Sequence, residues 1–271
     1  MDHKKVAVHI VSWLKDYAEK ANVNGFVVGI SGGIDSALTS TLCALTGKKT
    51  ILVEMPIHQA EDQVSRGKEH IEFLKEKFPS CSSVELDLTQ TYDQFLGELS
   101  AKADINKSEE IKNLALGNSR ARLRMTTLYA VAGIEGLLVA GTGNKVEDFG
   151  VGFFTKYGDG GVDLSPIADL YKSEVYELAN YLEISQSIIT AAPTDGLWDD
   201  GRTDEDQIGA TYDELEDAMK THELYGKNPP TCEFESVRNE KVWKIFLKRF
   251  KANQHKMNPI PVCEIPWDLK A

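Results

Sequence analysis

The sequence predicts an α/β protein built on a doubly wound, mostly parallel sheet flanked by helices. Three observations lead to this fold class. Short apolar runs alternate with longer amphipathic segments along most of the chain, which is the pattern of repeated βα units. One apolar run, residues 26–30, passes through two glycines directly into a helical stretch, and another, residues 136–142, has the composition of a buried strand. The length of 271 residues suits a single domain, 1–271, with a sizeable core.

The individual elements follow from the spacing of apolar residues. Intervals of three and four, as at Val6, Ile10 and Leu14, predict helices, whereas short runs rich in β-branched residues predict strands. In chain order the prediction is helix 4–20, strand 26–30, helix 36–45, strand 50–55, helix 59–78, strand 84–88, helix 92–101, helix 108–132, strand 136–142, helix 171–182, helix 212–221 and helix 235–255.

Boundary residues and loops complete this outline. Gly47 closes the helix that follows the glycine pair, Pro56 ends the second strand, and Ser108 is a suitable N-cap. Residues 143–166 are rich in glycine and aromatics and predict a long ordered loop, which in a compact domain is usually functional. Residues 193–206 contain Pro, Gly and many Asp without periodicity and predict a mobile loop that acts as a lid, and the proline-containing tail predicts an extended end.

Composition and charge exclude several classes of function. The chain has no run of 18 apolar residues and no signal-peptide pattern, so we expect a cytoplasmic protein without a membrane span. Its net charge of −12 argues against a nucleic-acid partner. Most of that excess lies within residues 195–217, so the rest of the chain can still form a basic phosphate pocket. Four cysteines without a CxxC pair are read as reduced structural thiols.

The strand-to-helix junction at residues 29–36 has the chemistry of a phosphate-binding loop. Gly32 and Gly33 lack the Cβ atoms that would block an oxyanion, and the helix that follows offers free N–H groups. Ser31 and Ser36 add hydroxyl groups, and Asp35 is an anion where a phosphate-bound Mg²⁺ needs a ligand. The loop has no lysine and therefore is not a Walker A motif. The hexapeptide SGGIDS resembles the PP-loop of the N-type ATP pyrophosphatases, which cleave ATP between the α- and β-phosphates.

Further chemistry-bearing residues lie downstream. Thr142 ends a predicted buried strand, where doubly wound folds bind ligands, and Glu147 follows in position to supply a second carboxylate for Mg²⁺. Residues 153–163 combine glycines and aromatics with Lys156 and Asp163, which could bind phosphate and ribose or amide groups. Arg120 and Arg124 share one helix face, and their spacing alone favours a solvated basic face.

These stretches together resemble the ammonia-dependent NAD synthetases. The motifs that carry the resemblance occur in the family's order: GNSRARLRM at 117–125, GTGNKVE at 141–147, GFFTKYGDGG at 152–161, Lys172, Pro193-Thr194 and His255-Lys256. The resemblance covers the chain from about residue 5 to the tail and implies an adenine nucleotide alpha hydrolase-like fold. It further implies a homodimeric ligase that makes NAD from nicotinic acid adenine dinucleotide (deamido-NAD), ATP and ammonia with Mg²⁺. Glutamine-dependent members carry an extra glutaminase domain, for which we expect no room here.

The resemblance also implies residue roles, which we treat as expectations. Asp35 and Glu147 would bind Mg²⁺, and Asp35, Lys172 and Asp163 would act in catalysis. The implied ATP-binding residues are Gly29, Ile30, Ser31, Gly32, Gly33, Ile34, Asp35, Ser36, Thr142, Lys172 and Thr194. The implied deamido-NAD-binding residues are Arg122, Lys156, Asp163, His255 and Lys256. The family pattern thus selects Arg122 rather than Arg120 or Arg124.

Two departures from the family and two alternative functions accompany this interpretation. Glu54 stands where some members have an arginine that contacts ATP, and the loop after Glu147 is one residue longer than in some relatives, which affects how Asp148 and Phe149 face the site.

The first alternative function is another enzyme of the superfamily, such as a GMP synthetase-type amidotransferase or a tRNA-modifying enzyme. The second is a non-catalytic regulator that binds adenine nucleotides, which would need the glycine loop but neither Glu147 nor Lys172.

Overall fold

A parallel sheet forms the centre of the computed structural model, which describes residues 1–102, 108–194, 203–226, 234 and 236–270. The strands of this described part are β1 (Gly25–Ile30), β2 (Lys49–Glu54), β3 (Cys81–Glu85) and β4 (Leu138–Val139). They are all parallel and lie in the order β3-β2-β1-β4. Successive strands therefore add on one side of β1 as far as β3, and β4 then adds on the other side of β1. Folds of this kind bind ligands at the carboxyl ends of the strands beside this switch in order.

Helices connect these strands and cover both faces of the sheet. In the described ranges they are α1 (His3–Lys20), α2 (Ile34–Leu45), α3 (Glu61–Lys77), α4 (Thr89–Lys102), α5 (Glu109–Glu135), α6 (Lys172–Tyr181), α7 (Gln186–Ile189), α8 (Asp204–Ile208), α9 (Tyr212–Tyr225) and α10 (Val237–Met257). The predicted doubly wound α/β class is confirmed. None of the helices in the part of the chain that the structure describes is long and apolar enough to cross a membrane.

Three apolar clusters hold the layers together. The first fills one face of the sheet, where α1, α2 and α6 pack on β1, and includes Leu14, Phe26 and Leu178. The second lies on the opposite face, where β-strand residues such as Val27 meet the C-terminal half of α5. The third joins α9 and α10 to the loop that follows β4. The last two elements of the chain therefore pack beside the carboxyl edge of the sheet, where they can complete a site.

Several predicted boundaries differ from the structure for local reasons. The predicted strand 84–88 begins earlier, at Cys81, because Ser82 and Ser83 pair with β2 although they carry no apolar signal. The predicted strand 136–142 forms a ladder with β1 only at Leu138 and Val139, followed by a single bridge from Ala140 to Leu164. The loop 143–166 contains a π-helical turn, Val146–Val151. Of the predicted mobile loop 193–206, residues 195–202 lie outside the described residues, whereas α8 begins at Asp204.

Candidate active site

The glycine loop between β1 and α2 is held in a closed conformation by its own hydroxyl groups. The backbone N–H of Gly33 donates to Ser31 Oγ over 3.2 Å, and Ser36 Oγ donates to the Gly33 carbonyl over 2.9 Å. Gly32 has a φ of +79°, and a Cβ there would lie 2.3 Å from the backbone oxygen of Gln63 on α3. Only glycine fits at this point, because both the left-handed backbone and the close approach of α3 exclude a side chain.

A cluster of charged side chains lies directly above this loop. The Lys172 ammonium, at the start of α6, donates to Asp35 Oδ2 over 2.6 Å and to Glu147 Oε1 over 3.0 Å. Lys172 is only 2% exposed. Asp35 comes from the first turn of α2, and Glu147 from the π-helical turn after β4. Residues separated by more than 100 positions therefore meet at one point, where one buried cation joins two carboxylates.

Two neutral side chains complete the hydrogen bonding of these carboxylates. The Asn144 amide donates to Asp35 Oδ1 over 3.0 Å, while its oxygen accepts the backbone N–H of Glu147 over 3.2 Å. The Tyr212 hydroxyl donates to Glu147 Oε1 over 2.6 Å. Each carboxylate is thus fixed by one neutral donor in addition to Lys172, which is the arrangement that makes a buried charged cluster stable.

Burial and neighbouring charges act in opposite directions on the members of this cluster. For Asp35 burial prevails and raises the pKa of the carboxyl, although Lys172 acts to lower it. Burial by itself lowers the pKa of Lys172, but the carboxylates of Asp35 and Glu147 outweigh it and raise the pKa of the ammonium above its ordinary value. Burial likewise acts to raise the pKa of Glu147, but Lys172 and the Tyr212 hydroxyl hold it below its ordinary value. Burial, followed by the nearby Glu147 and Asp204 carboxylates, raises the pKa of Tyr212, so its hydroxyl remains a donor.

A cavity of about 800 Å³ opens over the cluster and the glycine loop. Its volume falls within the range of about 300–1,000 Å³ that is usual for ligand pockets. The site residues expected from the sequence that line it are Gly29, Ile30, Ser31, Gly32, Gly33, Ile34, Asp35, Thr142, Glu147, Lys172, Thr194 and Lys256. Ser36 is buried beneath the loop. The fold therefore brings most of the expected ATP-binding residues to one opening.

Four of the five expected deamido-NAD-binding residues form a second group, which reaches this opening through Lys256. Lys256 donates to the backbone carbonyls of Gly152 and Phe154, over 2.7 and 2.8 Å. Lys156 donates to the carbonyl of His255, and Arg122 donates to the carbonyl of Lys156 over 3.3 Å. Arg122, Lys156, His255 and Lys256 are thus joined by hydrogen bonds between α5, the glycine-rich loop and α10, and of these Lys256 lines the cavity.

Asp163 lies apart from that group. Its Oδ2 accepts the backbone N–H of Val139 over 2.8 Å, and its Oδ1 accepts the Tyr129 hydroxyl over 3.0 Å. Both oxygens of this carboxylate therefore already accept a hydrogen bond from the edge of the sheet and from α5. Asp163 is not among the residues that line the cavity.

The structure also identifies site residues that the sequence did not indicate. Arg124 lines the cavity, where its guanidinium donates to the Met55 carbonyl over 3.0 Å and to Gln59 Oε1 over 2.9 Å. The favoured interpretation of a solvated basic face is therefore wrong for Arg124, because the end of β2 covers that side of α5. Asn144 stands in the GTGNKVE motif and could have been recognised there, whereas no sequence signal pointed to Tyr212.

The two departures from the family pattern have structural counterparts. Glu54 is 4% exposed at the end of β2 and lines the cavity, and burial raises its pKa. In the loop after Glu147, Phe149 points outward, whereas Asp148 packs so closely on Gly143 that a Cβ there would lie 2.1 Å from its carboxylate. The inward position of Asp148 depends on glycine at 143.

Comparison with known proteins identifies the family of this chain. The family model described as NAD synthase matches residues 6–260, which include the glycine loop, the charged cluster and the Lys256 group. The chain belongs to the NAD synthase family. A curated relative, the NH(3)-dependent NAD(+) synthetase of Methanosarcina acetivorans, is 36% identical over 268 residues, which are 98% of this chain and 100% of the relative.

Solved structures agree with this assignment. The NMN synthetase from Francisella tularensis superimposes with a TM-score of 0.83 at 30% identity, covering 98% of this chain and 100% of that one. The NH3-dependent NAD synthetase from Campylobacter jejuni superimposes with a TM-score of 0.76 at 25% identity, covering 97% and 100%. The similarity extends over whole chains, so it includes α9 and α10 as well as the sheet.

Proposed function

We propose that this protein is a ligase that amidates deamido-NAD with ammonia at the expense of ATP, giving NAD, AMP and pyrophosphate. The observation that carries the proposal is the Asp35–Lys172–Glu147 cluster, which lies above a glycine loop without lysine in a chain of the NAD synthase family. A non-catalytic nucleotide-binding regulator would have no use for this buried cluster. Membership of the NAD synthase family argues against the other alternative, a GMP synthetase-type amidotransferase or a tRNA-modifying enzyme.

The chemistry begins with the activation of a poor electrophile. One oxygen of the nicotinate carboxylate attacks the α-phosphorus of ATP, the bond from that phosphorus to the β-phosphate oxygen breaks, and pyrophosphate leaves. Ammonia then attacks the carboxyl carbon of the acyl adenylate, and AMP leaves. The protein contributes mainly by positioning the reactants and stabilising charge on the departing phosphate oxygens. We assign that stabilisation to the N–H groups of the glycine loop and to the Lys172 ammonium.

Two carboxylates of the cluster fit Mg²⁺. Mg²⁺ is usually bound by one or two carboxylates together with substrate phosphates and water. Within the described ranges, no group of three or more His, Cys, Asp or Glu side chains could hold a metal by itself, which agrees with a site completed by ATP. Asp35 and Glu147 already share one cation, Lys172, so their oxygens face a common point. Bound there, Mg²⁺ would neutralise charge on the phosphates of ATP.

The two substrates divide the cavity in this proposal. ATP binds along Gly29–Ser36 with Thr142, Lys172 and Thr194, a division supported by the position of the loop at the topological switch. Deamido-NAD binds to the group formed by Arg122, Lys156, His255 and Lys256, because clustered cations suit its phosphates. The roles expected for Asp163, binding of the same substrate and capture of ammonium, stay a prediction, because both oxygens of this carboxylate already accept hydrogen bonds and it does not line the cavity.

The proposal extends to the molecule as a whole. We propose that residues 1–271 form one synthetase domain, that it works in the cytoplasm, and that two copies form a homodimer. Exposed apolar residues on α5, among them Ile111 and Ile134, support an additional packing surface for the dimer.

The decisive test is the identity of the phosphate products. Purified protein incubated with deamido-NAD, ATP, Mg²⁺ and ammonium chloride should form NAD, AMP and pyrophosphate in equal amounts, which chromatography and a pyrophosphate assay measure. ADP and orthophosphate as products would contradict the proposed reaction. Calorimetry that showed ATP binding without any AMP formation would favour the non-catalytic regulator.

A second experiment tests which carboxylic acid is the preferred substrate. The similarity to a protein named NMN synthetase is a reason to offer nicotinic acid mononucleotide as a competitor of deamido-NAD. We expect kcat/KM to be higher for the dinucleotide, because the cationic group around Lys256 can hold its additional phosphate. A preference for the mononucleotide would retain the reaction type and overturn the proposed substrate.

A further inference from the structure

Tyr212 occupies a position that the proposed reaction does not yet explain. It is the first residue of α9, is 5% exposed, and extends its hydroxyl to Glu147 Oε1 over 2.6 Å. The face of its ring also lies 4.8 Å from the Lys172 ammonium. Tyr212 therefore contacts two of the three charged groups above the glycine loop, although it comes from a different part of the chain.

The hydrogen bonds of the cluster divide into two kinds. Lys172 is a cationic donor that Asp35 and Glu147 share, and it occupies the point on which their oxygens converge. The remaining side-chain donors are neutral: Asn144 donates to Asp35, and Tyr212 donates to Glu147. Asn144 also stabilises the ionised Glu147, so each proposed metal ligand has a neutral donor besides Lys172, and Tyr212 is the one that bonds to Glu147 Oε1.

Magnesium bound to Asp35 and Glu147 would lie close to the Lys172 ammonium. The two cations would repel each other, which would weaken the bonds from Lys172 to the carboxylates. The neutral donors would meet no such repulsion, because an amide and a phenol carry no net charge. Asn144 and Tyr212 would therefore still orient the two carboxylates with the metal bound.

We propose that Tyr212 is a positioning residue that holds Glu147 in the orientation needed to bind Mg²⁺, an inference that rests on the proposed function. Groups that donate hydrogen bonds to metal ligands fix the ligand's direction, and their loss typically reduces metal affinity or activity by about 10–100-fold. Without the phenol, Glu147 would lose its 2.6 Å neutral donor and keep the Lys172 ammonium and the influence of the Asn144 amide.

The ring and the hydroxyl of Tyr212 have separable roles. The ring packs in the apolar cluster between α9, α10 and the loop after β4, beside Val146 and Met219. Its backbone N–H donates to Glu205 Oε1 over 2.9 Å. Tyr212→Phe retains these contacts and removes only the hydroxyl, with its 2.6 Å bond to Glu147 and its longer 3.3 Å bond to Asp204 Oδ2, and the Glu147 background described below separates the two. Tyr92→Phe is a matched control, because Tyr92 is also buried, donates to the Leu116 carbonyl over 3.0 Å, and does not line the cavity.

The experiment measures metal binding directly. Mn²⁺, used as a paramagnetic probe for the Mg²⁺ site, is titrated by electron paramagnetic resonance in the presence of α,β-methylene ATP, which does not turn over. We expect Tyr212→Phe to raise the Kd of Mn²⁺ by about 10-fold or more, and Tyr92→Phe to leave it unchanged. In steady-state assays, Tyr212→Phe should raise the Mg²⁺ concentration needed for half-maximal rate, while the KM for deamido-NAD stays the same.

A double-variant comparison then tests whether the effect passes through Glu147. In a Glu147→Gln background, Tyr212→Phe should weaken Mn²⁺ binding no further. An equal effect in both backgrounds, or wild-type Mn²⁺ affinity in Tyr212→Phe, would overturn the inference. A failure of the proposed function is a separate result, because it appears as missing NAD and pyrophosphate in the wild-type assay, whereas the Mn²⁺ titration requires no turnover.

Discussion

At the residue scale, Asp35 combines two tasks, since it pairs with Lys172 and is proposed to bind Mg²⁺. Asp35→Ala should lower kcat by at least about 100-fold, the usual effect of removing one group that stabilises charge in the transition state. The protein should remain folded, because Lys172 keeps its bond to Glu147. Steady-state kinetics and circular dichroism measure the two outcomes. Asp93→Ala, which removes an exposed carboxylate that does not line the cavity, is the control. Full activity in Asp35→Ala would remove this residue from the proposed metal site.

A second residue-scale prediction concerns His70, which is 1% exposed in α3 and hydrogen-bonds through Nε2 to Ser40 over 2.9 Å. Burial lowers the pKa of His70 to about 4. The unfolded chain, with a pKa near 6.5, takes up a proton before the folded protein does, so stability is lost as the pH falls from about 6.5 to about 4.

The expected contribution of His70 is about 2 kcal/mol between pH 7 and pH 5. Urea unfolding of the wild type and of His70→Leu at both pH values measures it, and the variant should lose that much less stability on acidification. Ser40 remains satisfied in the variant because its hydroxyl also donates to the Ser36 carbonyl over 2.7 Å. Equal losses in both proteins would show that other groups control the acid sensitivity.

At the element scale, the glycine loop depends on its contact with α3. Gly32 has a positive φ, and a Cβ on it would collide with a backbone oxygen of α3. Gly33 has a φ of −95° and a ψ of 162°, a backbone conformation that any residue can adopt. Gly32→Ala should therefore destabilise the fold by about 2 kcal/mol or more. Gly33→Ala should change stability by less than about 1 kcal/mol.

Urea unfolding of the two glycine variants tests this difference in the absence of any substrate. The comparison is internal, because both changes add one methyl group to adjacent positions of the same loop. Similar stabilities for the two variants would mean that α3 yields easily and does not fix the loop against the sheet.

At the scale of the whole molecule, the proposed homodimer assigns a role to the exposed side of α5. Ala130 and Thr126 lie on this side with Tyr129, away from the sheet. A charge in an apolar interface is costly when it finds no partner. Ala130→Glu should therefore convert a species of twice the 30.1 kDa chain mass into a monomer, as measured by light scattering after size exclusion.

Val8→Glu provides the control for this experiment, because Val8 is an exposed apolar residue on α1, on the opposite side of the sheet. It should leave the mass unchanged. A monomeric wild type would contradict the homodimer, and a dimeric Ala130→Glu would place the interface on another surface.

Much of the site could be predicted from the sequence where its determinants are local. The alternation of strands and helices, the glycine pair after a buried strand, and the order of motifs through residue 256 are all properties of short segments. Short segments control backbone conformation, the exposure of helix N–H groups and the end of a strand. These features sufficed for the fold class and for the family resemblance, and the resemblance implied that Asp35, Glu147 and Lys172 belong to one site.

Only the tertiary structure decided which side chains meet across the sheet edge. Tyr212 reaches Glu147 because α9 packs on the π-helical turn, and Arg124 is covered because β2 ends beside α5. Such contacts depend on the packing of elements far apart in the chain, which periodicity does not encode. The sequence by itself thus determined the fold class and the set of expected site residues. Packing decided which neutral donors surround their charges, because the hydrogen-bond partners of a buried charge depend on distance in space.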